Sequence, residues 1–505
     1  MSSSQLPALQ VVLPLLGAVI CAFLRRGTLA WGVALCVTWT MPVIALSMLW
    51  QVLATGPISY AMGGWAPPWG IEYRVDVLSG FVLFLVSGVA AVIIPFARKS
   101  IATEIDSTRQ AWFYTMYLLS LCGLLGITIT GDAFNVFVFL EISSLSTYVM
   151  IALGRDRRAL LAAYQYLIVG TIGATFYVLG VGILYSLTGS LNMVDISSRL
   201  GELGFQPPVL AAVAFLFVGI SLKLALFPLH SWLPGAYAYA PSFATAFLAA
   251  SATKVAVYLL VRYFFSVFSV SQIFEGLPVS EILIVLSVAG MIGASLVAVF
   301  QEDVKRMLAY SSVAQIGYMT LGIGLANKQG LTGGIVHLFN HAITKAALFL
   351  AVGAIVYRMK TCKIDDFAGL GRRMPLTMGV FVLAGLSIIG TPGTAGFVSK
   401  WFLAVGALEE GWWWLVAIVM VSSLISVVYI GRVIEIAWFR EAKPIADNAR
   451  EPPASMLLPM LFLAGCVVYF GFATSMSAGY ASKAAAHLLG AEQAIEVPAA
   501  AGTKQ

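Results

Sequence analysis

The segment GGIVHLFNHAITKAALFLAVG sets His337, His341 and Lys345 four residues apart, so all three fall on one face of a helix. Such a stripe is suited to proton transfer, because one imidazole nitrogen accepts a proton while the other gives one up. An H-x-x-x-H pair also holds zinc in other settings. Here Leu338 stands where H-E-x-x-H needs its glutamate, and no Cys or acid clusters nearby as a third ligand, so no metal is expected.

Four more ionisable residues interrupt apolar runs. Glu141 lies halfway along DAFNVFVFLEISSLSTYVMIAL, Lys223 in GISLKLALFPLHSWLPGAY, Lys254 in SFATAFLAASATKVAVYLLV, and Lys400 follows GTPGTAGFVS. A charge in hydrocarbon is costly and is kept where it pairs or faces a wet cavity, which makes each a functional candidate. Blander readings exist. Glu141 could join two helices through a hydrogen bond, and Lys223 could snorkel to the surface, an escape for which Lys254 is too central. Glu141 is the expected partner of Lys223.

Lys223 stands five residues before Pro228, which removes a backbone donor and should break the helix, leaving carbonyls and water beside the ammonium. Lys400 has the same company in Pro392, Gly390, Gly393 and Gly396. Two proline-broken segments at matching places point to inverted repeats with a site at each break. His230, just past Pro228, is a candidate entry for protons, or a partner for a loop carbonyl. Asp132 is expected to cap a helix, Glu302, Asp303, Lys305 and Arg306 to be loop charges and caps, and Arg432 with Glu435 a surface pair.

The elements that position these residues must be membrane helices. Of 505 residues, 60% are hydrophobic and 10% charged, outside the range of ordinary soluble domains. Apolar runs of about 20 residues recur, each long enough to cross hydrocarbon. The pattern predicts an all-α, polytopic membrane protein with fourteen spans near 6–24, 29–54, 76–97, 111–130, 132–153, 160–187, 208–229, 243–267, 279–300, 306–326, 331–357, 375–406, 412–438 and 455–475. No Lys or Arg precedes the first run, so it reads as an anchor and not a cleaved signal. Lys and Arg gather in alternate loops, with Arg25, Arg98, Arg157, Arg306 and Arg372 on the crowded side. That side is cytoplasmic by the positive-inside rule, which puts both termini outside. The net charge of +6 follows from this sidedness and needs no nucleic-acid partner. The five cysteines form no C-x-x-C pair for an iron–sulfur cluster or zinc, so no cofactor is expected. The Ala-rich 476–505 tail reads as a short amphipathic segment followed by disorder.

The runs FLEISSLSTYVMIAL, LFPLHSWLPGAYAYAPS, EDVKRMLAYSSVAQIGYM and HLFNHAITKAALFL resemble the antiporter-like subunits of respiratory complex I, membrane-bound hydrogenases and Mrp cation/proton antiporters. The resemblance covers roughly residues 75–440. It implies fourteen helices: three in 1–110, five in a first inverted repeat at 111–267, five in a second at 279–438, and a last helix with an outward tail at 455–505. It also implies that Glu141 is the key acid, Lys223 the broken-helix lysine, Lys254, His337, His341 and Lys345 the central connection, and Lys400 the second broken-helix position. YAMGGWAPPWGIEYRVD and the length look most like the D-type member of the Mrp antiporter. The chain ends soon after its last span, without the lateral helix of the largest complex I member.

The expectation is therefore a proton-translocating subunit of a multisubunit Na+/H+ antiporter in a bacterial plasma membrane, with protons, sodium, lipid and other membrane subunits as partners. A rival is a proton-pumping subunit of an NADH:quinone oxidoreductase or hydrogenase complex. A third reading is a passive scaffold, with the buried charges serving packing alone.

Overall fold

The computed structural model describes residues 5–204, 206–268, 270–446 and 449–490. Helices α1 (Leu6–Phe23) and α2 (Gly27–Thr55) lead into a hairpin of β1 (Ile58–Ala61) and β2 (Glu72–Val75), paired antiparallel with Ile58 opposite Val75. There follow α3 (Val77–Glu104), α4 (Gln110–Ile129), α5 (Ala133–Ala152), α6 (Arg157–Thr188), α7 (Met193–Leu203), α8 (Pro207–Leu224), α9 (Trp232–Tyr239) and α10 (Ser242–Arg262), which a π-turn extends to Val267. The remainder is α11 (Val279–Val299), α12 (Val304–Gly324), α13 (Lys328–Met359), α14 (Leu370–Arg373), α15 (Pro375–Ile389), α16 (Ala395–Glu409), α17 (Trp413–Phe439), α18 (Ala454–Phe472) and α19 (Ser477–Leu488).

Among the described residues, 12 helices are long and apolar enough to cross a membrane. The expected fourteen is not reached by that measure, for two reasons. The run expected as one span at 375–406 is two 15-residue helices, α15 and α16. Helix α12 falls outside the set, as it carries Lys305, Arg306, Gln315 and several Ser and Gly. The amphipathic α7 was not expected; its Asn192 caps it by accepting from the N–H groups of Val194 and Asp195. In the expected tail, 477–488 is helical, and 491–505 lies outside the described residues.

Two helices form the centre. In α10 and α13, 94% of the apolar window is buried, against 33% in α2 and α17. Their sequences allow this, because Ala, Gly, Ser and Thr let backbones approach closely. A Cβ on Gly322 of α12 would meet the Gly330 carbonyl oxygen of α13 at 2.5 Å. The fold thus places Lys254, on α10, and the His337–Lys345 stripe, on α13, away from lipid.

The same short bridge occurs twice. Asp132 pairs with Asn192, through Ala133 N–H to the Leu191 carbonyl and Met193 N–H to that of Gly131. Asp303 pairs with Lys363, through Val304 N–H to the Cys362 carbonyl and Ile364 N–H to that of Glu302. Both positions advance by the same number of residues from one bridge to the next. Each aspartate also caps a helix, Asp132 accepting from Asn135 N–H at 2.7 Å and Asp303 from Arg306 N–H at 2.9 Å. Burial raises both carboxyls above the usual range, and these backbone bonds offset only part of that.

Other polar residues depart from their expected places. Lys305 is buried and donates to the Ala240 carbonyl at 3.2 Å, so it ties α12 to the end of α9. Arg432 and Glu435 do not pair: Arg432 donates to the carbonyls of Val299 and Gln301, and Glu435 bonds Arg440.

Candidate functional site: a buried row of ionisable side chains

Helix α8 stops just after Lys223, at Ala225, which adopts the left-handed conformation with φ 61°. The Leu222 carbonyl freed at this end accepts from Trp232 Nε1 at 2.9 Å, and the Trp232 ring stacks on Tyr166 at 3.8 Å. The break is thus clamped from α6 and α9. Pro228 and His230 lie in the connection, where His230 stacks on Phe227 at 5.1 Å and meets the Tyr310 ring edge-on. Its Nδ1 is buried without a partner among the described residues.

Lys223 Nζ lies 3.6 Å from Glu141 Oε1 and donates to Ser144 Oγ at 2.8 Å. Glu141 and Ser144 are three apart on α5 and so present one face to α8. The pair is asymmetric: the lysine side chain is 5% exposed and the carboxylate 25%. A cavity of about 30 Å3 opens beside Lys223, with Ser143, Thr147 and Tyr166 on one side and Ala252, Val255 and Ala256 of α10 on the other. That is room for a water molecule.

Those α10 residues flank Lys254, which is fully buried and whose ammonium donates to the Ala249 carbonyl and, at 3.3 Å, to Thr253 Oγ1. Lys254 is near enough to act electrostatically on His337, His341 and Lys345. On α13 the expected stripe is present. The His337 and His341 rings stack at 6.0 Å, and Lys345 donates to the Leu308 carbonyl at 2.8 Å and to Ser311 Oγ. Neither ring nitrogen of His341 has a partner among the described residues, nor has His337 Nε2. Unpaired buried polar atoms are rare in native proteins, and water normally satisfies them.

His337 Nδ1 bonds Ser399 Oγ at 2.8 Å, and Ser399 precedes Lys400 on α16. The second break runs from Gly390, with φ 89°, through Pro392 to Thr394. Lys400 reaches back across it. Its ammonium donates to the carbonyls of Ile388 and Ile389 at 3.0 and 2.9 Å and to Ser423 Oγ at 2.8 Å, 4.7 Å from the centre of the Tyr318 ring. The last carbonyls of a helix have no partner within it and carry its negative dipole end, which suits a cation.

All seven ionisable residues singled out in the sequence therefore lie along one layer from α5 to α16, with His230 and both proline breaks beside it. Sequence reading missed the hydroxyls and rings that receive them: Ser144, Ser311, Ser399, Ser423, Tyr166 and Tyr318. Only Ser144 had a signal, its three-residue spacing from Glu141. Among the described residues no three of His, Cys, Asp or Glu converge to hold a metal.

Residues 130–426 match the family model described as NADH:quinone oxidoreductase/Mrp antiporter, TM. The chain is 43% identical over 491 residues to NADH-quinone oxidoreductase subunit N of Desulforudis audaxviator, covering 93% of this chain and 96% of that one. It is 29% identical to the D-type member of the Na(+)/H(+) antiporter of Alkalihalophilus pseudofirmus, over 95% of this chain and 97% of the other. Among solved structures, a chain of the Mrp complex from Dietzia sp. DQ12-45-1b superposes with a TM-score of 0.90 at 26% identity, covering 98% of this chain and 99% of that one. Helices, breaks and sequence agree: this chain is a multi-pass membrane subunit of the NADH:quinone oxidoreductase/Mrp antiporter family.

Proposed function

We propose that the chain moves protons across a bacterial plasma membrane as one subunit of a hetero-oligomeric machine. Protons enter near Lys223, with His230 at the approach, pass by Lys254 and the His337–Lys345 stripe, and leave by Lys400. The observation that carries this reading is His341, buried at the middle of the row with both ring nitrogens unbonded among the described residues. A histidine retained for packing alone would leave two desolvated polar atoms at a cost of about 1–3 kcal/mol each. A proton carrier needs them free for water.

The Lys223 pair supplies the switch. A carboxylate near an amine favours its charged form, and burial without one favours the neutral form. Movement of Glu141 toward or away from Lys223 therefore loads or releases a proton, and the next charge in the low-dielectric layer responds. The 25% exposure of Glu141 supports a neighbouring membrane subunit against this face, since lipid is a poor neighbour for a carboxylate. Two inverted repeats, at 111–267 and 279–438, account for the twin bridges and twin breaks, with both termini outside.

The Mrp-type antiporter is one home for this subunit, exchanging protons for sodium. The 43% identity to an NADH-quinone oxidoreductase subunit N, against 29% to the antiporter protein, favours the redox-driven alternative. Purifying the native complex and identifying its subunits decides between them: iron–sulfur and quinone-site proteins mark the second, small cation-antiporter subunits the first. For the path itself, Glu141→Ala or Lys223→Ala should abolish proton-coupled transport per assembled complex after reconstitution, whatever the yield of that complex. Normal transport by such well-assembled variants would sink the path and leave the scaffold reading.

A further inference from the structure

Behind the central stripe lies an apolar groove of about 730 Å3, between α2, α3, α13 and α18. Its floor is Phe339 and Ile343 of α13. They stand two positions along from His337 and His341, and so are turned about 200° away from them. Phe462 and Tyr469 of α18 form one wall. A second hollow of about 320 Å3 shares Phe462 and runs on to Pro95 and Ser455, with Trp39 at its edge.

At one end the groove approaches two cations. Arg98 and Lys99 are exposed on α3 one turn past Pro95. The Arg98 guanidinium lies 5.2 Å above the Trp31 ring, which is itself tied to the Ile94 carbonyl through Nε1. An arginine over a tryptophan, with an exposed lysine next to it, at the end of a span is how a protein meets phosphates at the membrane interface. Along α3 the groove runs from Phe84 to Pro95, about 16 Å at the helical rise, which is roughly half of the ~30 Å hydrocarbon core. One acyl chain of one leaflet spans that depth.

We propose that the groove between α3, α13 and α18 is a binding site for an anionic phospholipid, one tail against Phe339 and Ile343 and the headgroup phosphate on Arg98 and Lys99. The tail then fills the back of the helix that carries the proton stripe and holds it in place.

Two glycines make the site testable. A Cβ on Gly88 or Gly465, both of which line the groove, would meet open space, so leucines there extend into the volume a tail would occupy. The complex is washed in mild detergent, exposed to phosphatidylglycerol or phosphatidylcholine vesicles, and its retained lipid measured by native mass spectrometry. The wild type should retain phosphatidylglycerol in preference, and Gly88→Leu/Gly465→Leu should lose it. Arg98→Gln and Lys99→Gln should each reduce the preference about fivefold. A second measurement uses no filled groove: phosphatidylglycerol with brominated tails should quench the wild type more than Trp39→Phe. Equal retention by the wild type and the leucine variant, recovery of an isoprenoid in place of phospholipid, or equal quenching overturns the site. Retention is read without transport, so this test is separate from that of the proton path.

Discussion

Lys223 and Lys400 stand beside similar helix breaks, yet their charges are held differently. In the first half the ammonium has a counter-charge, Glu141, and one hydroxyl. In the second it has two main-chain carbonyls, one hydroxyl and an aromatic face, and among the described residues no acid pairs with it. The difference separates two jobs. A mobile carboxylate can vary the field at Lys223, whereas carbonyls at a helix end give Lys400 a fixed one. We read the first as the adjustable end of the row and the second as its constant end.

That contrast can be broken in order of effect. Lys223→Met alone strands the Glu141 carboxylate, which should cost about 3–5 kcal/mol and lower the yield of assembled complex. The double variant Glu141→Gln/Lys223→Met should restore the yield without restoring transport; a yield no better than that of the single variant would show that the two residues are not coupled. Lys400→Met strands no acid among the described residues, so transport should fall while the thermal midpoint moves little. A fall as steep as that of Lys223→Met would reveal a hidden counter-charge. Removing one hydroxyl acceptor, by Ser144→Ala or Ser423→Ala, should cost about 1 kcal/mol and slow transport several-fold in either half. His341→Ala should slow transport less than loss of either broken-helix lysine, because water can bridge the gap; complete loss would make the imidazole an obligatory carrier.

One further expected effect, on stability and not on transport, concerns neither break. Asp76 caps α3 and holds Arg262 of α10 through two bonds of 2.6 and 2.8 Å. Burial alone would raise this carboxyl, but the Arg262 guanidinium and the Ser79 bonds outweigh it and hold it below the usual carboxylate range. A depressed carboxyl stabilises above its unfolded value and less as pH falls, so this contribution is full above about pH 4 and fades below it. Asp76→Asn should lower the thermal midpoint at pH 7 and narrow the gap to the wild type in acid. A constant gap down to pH 3 would remove the carboxylate from the account.

The sequence carried the row itself, because a charge among apolar residues is visible without knowing what surrounds it. It carried the breaks for a similar reason: Pro228, and Pro392 with its glycines, are local signals. The partners of the row were not legible. Ser311, Ser399 and Ser423 look like any small residue in a membrane helix until packing brings α12 and α16 against α13, and α17 against α16. Lys305 was misread for the opposite reason, since its position among loop charges hid its bond to a distant carbonyl. Arg262, which carries no local signal in the sequence, is tied to Asp76 at the start of α3.

The cradle of Lys400 has a bearing on heredity. Its two carbonyls belong to Ile388 and Ile389, and any residue at those positions would supply them equally. A search for a side chain that changes in step with Lys400 would therefore pass over most of what holds it. Apart from Ser423 and Tyr318, the identity that shapes the cradle is that of the bend: Gly390 has φ 89°, and a Cβ there would come within 2.8 Å of Lys400 Cδ. What the ammonium asks of the sequence therefore includes a glycine ten positions away.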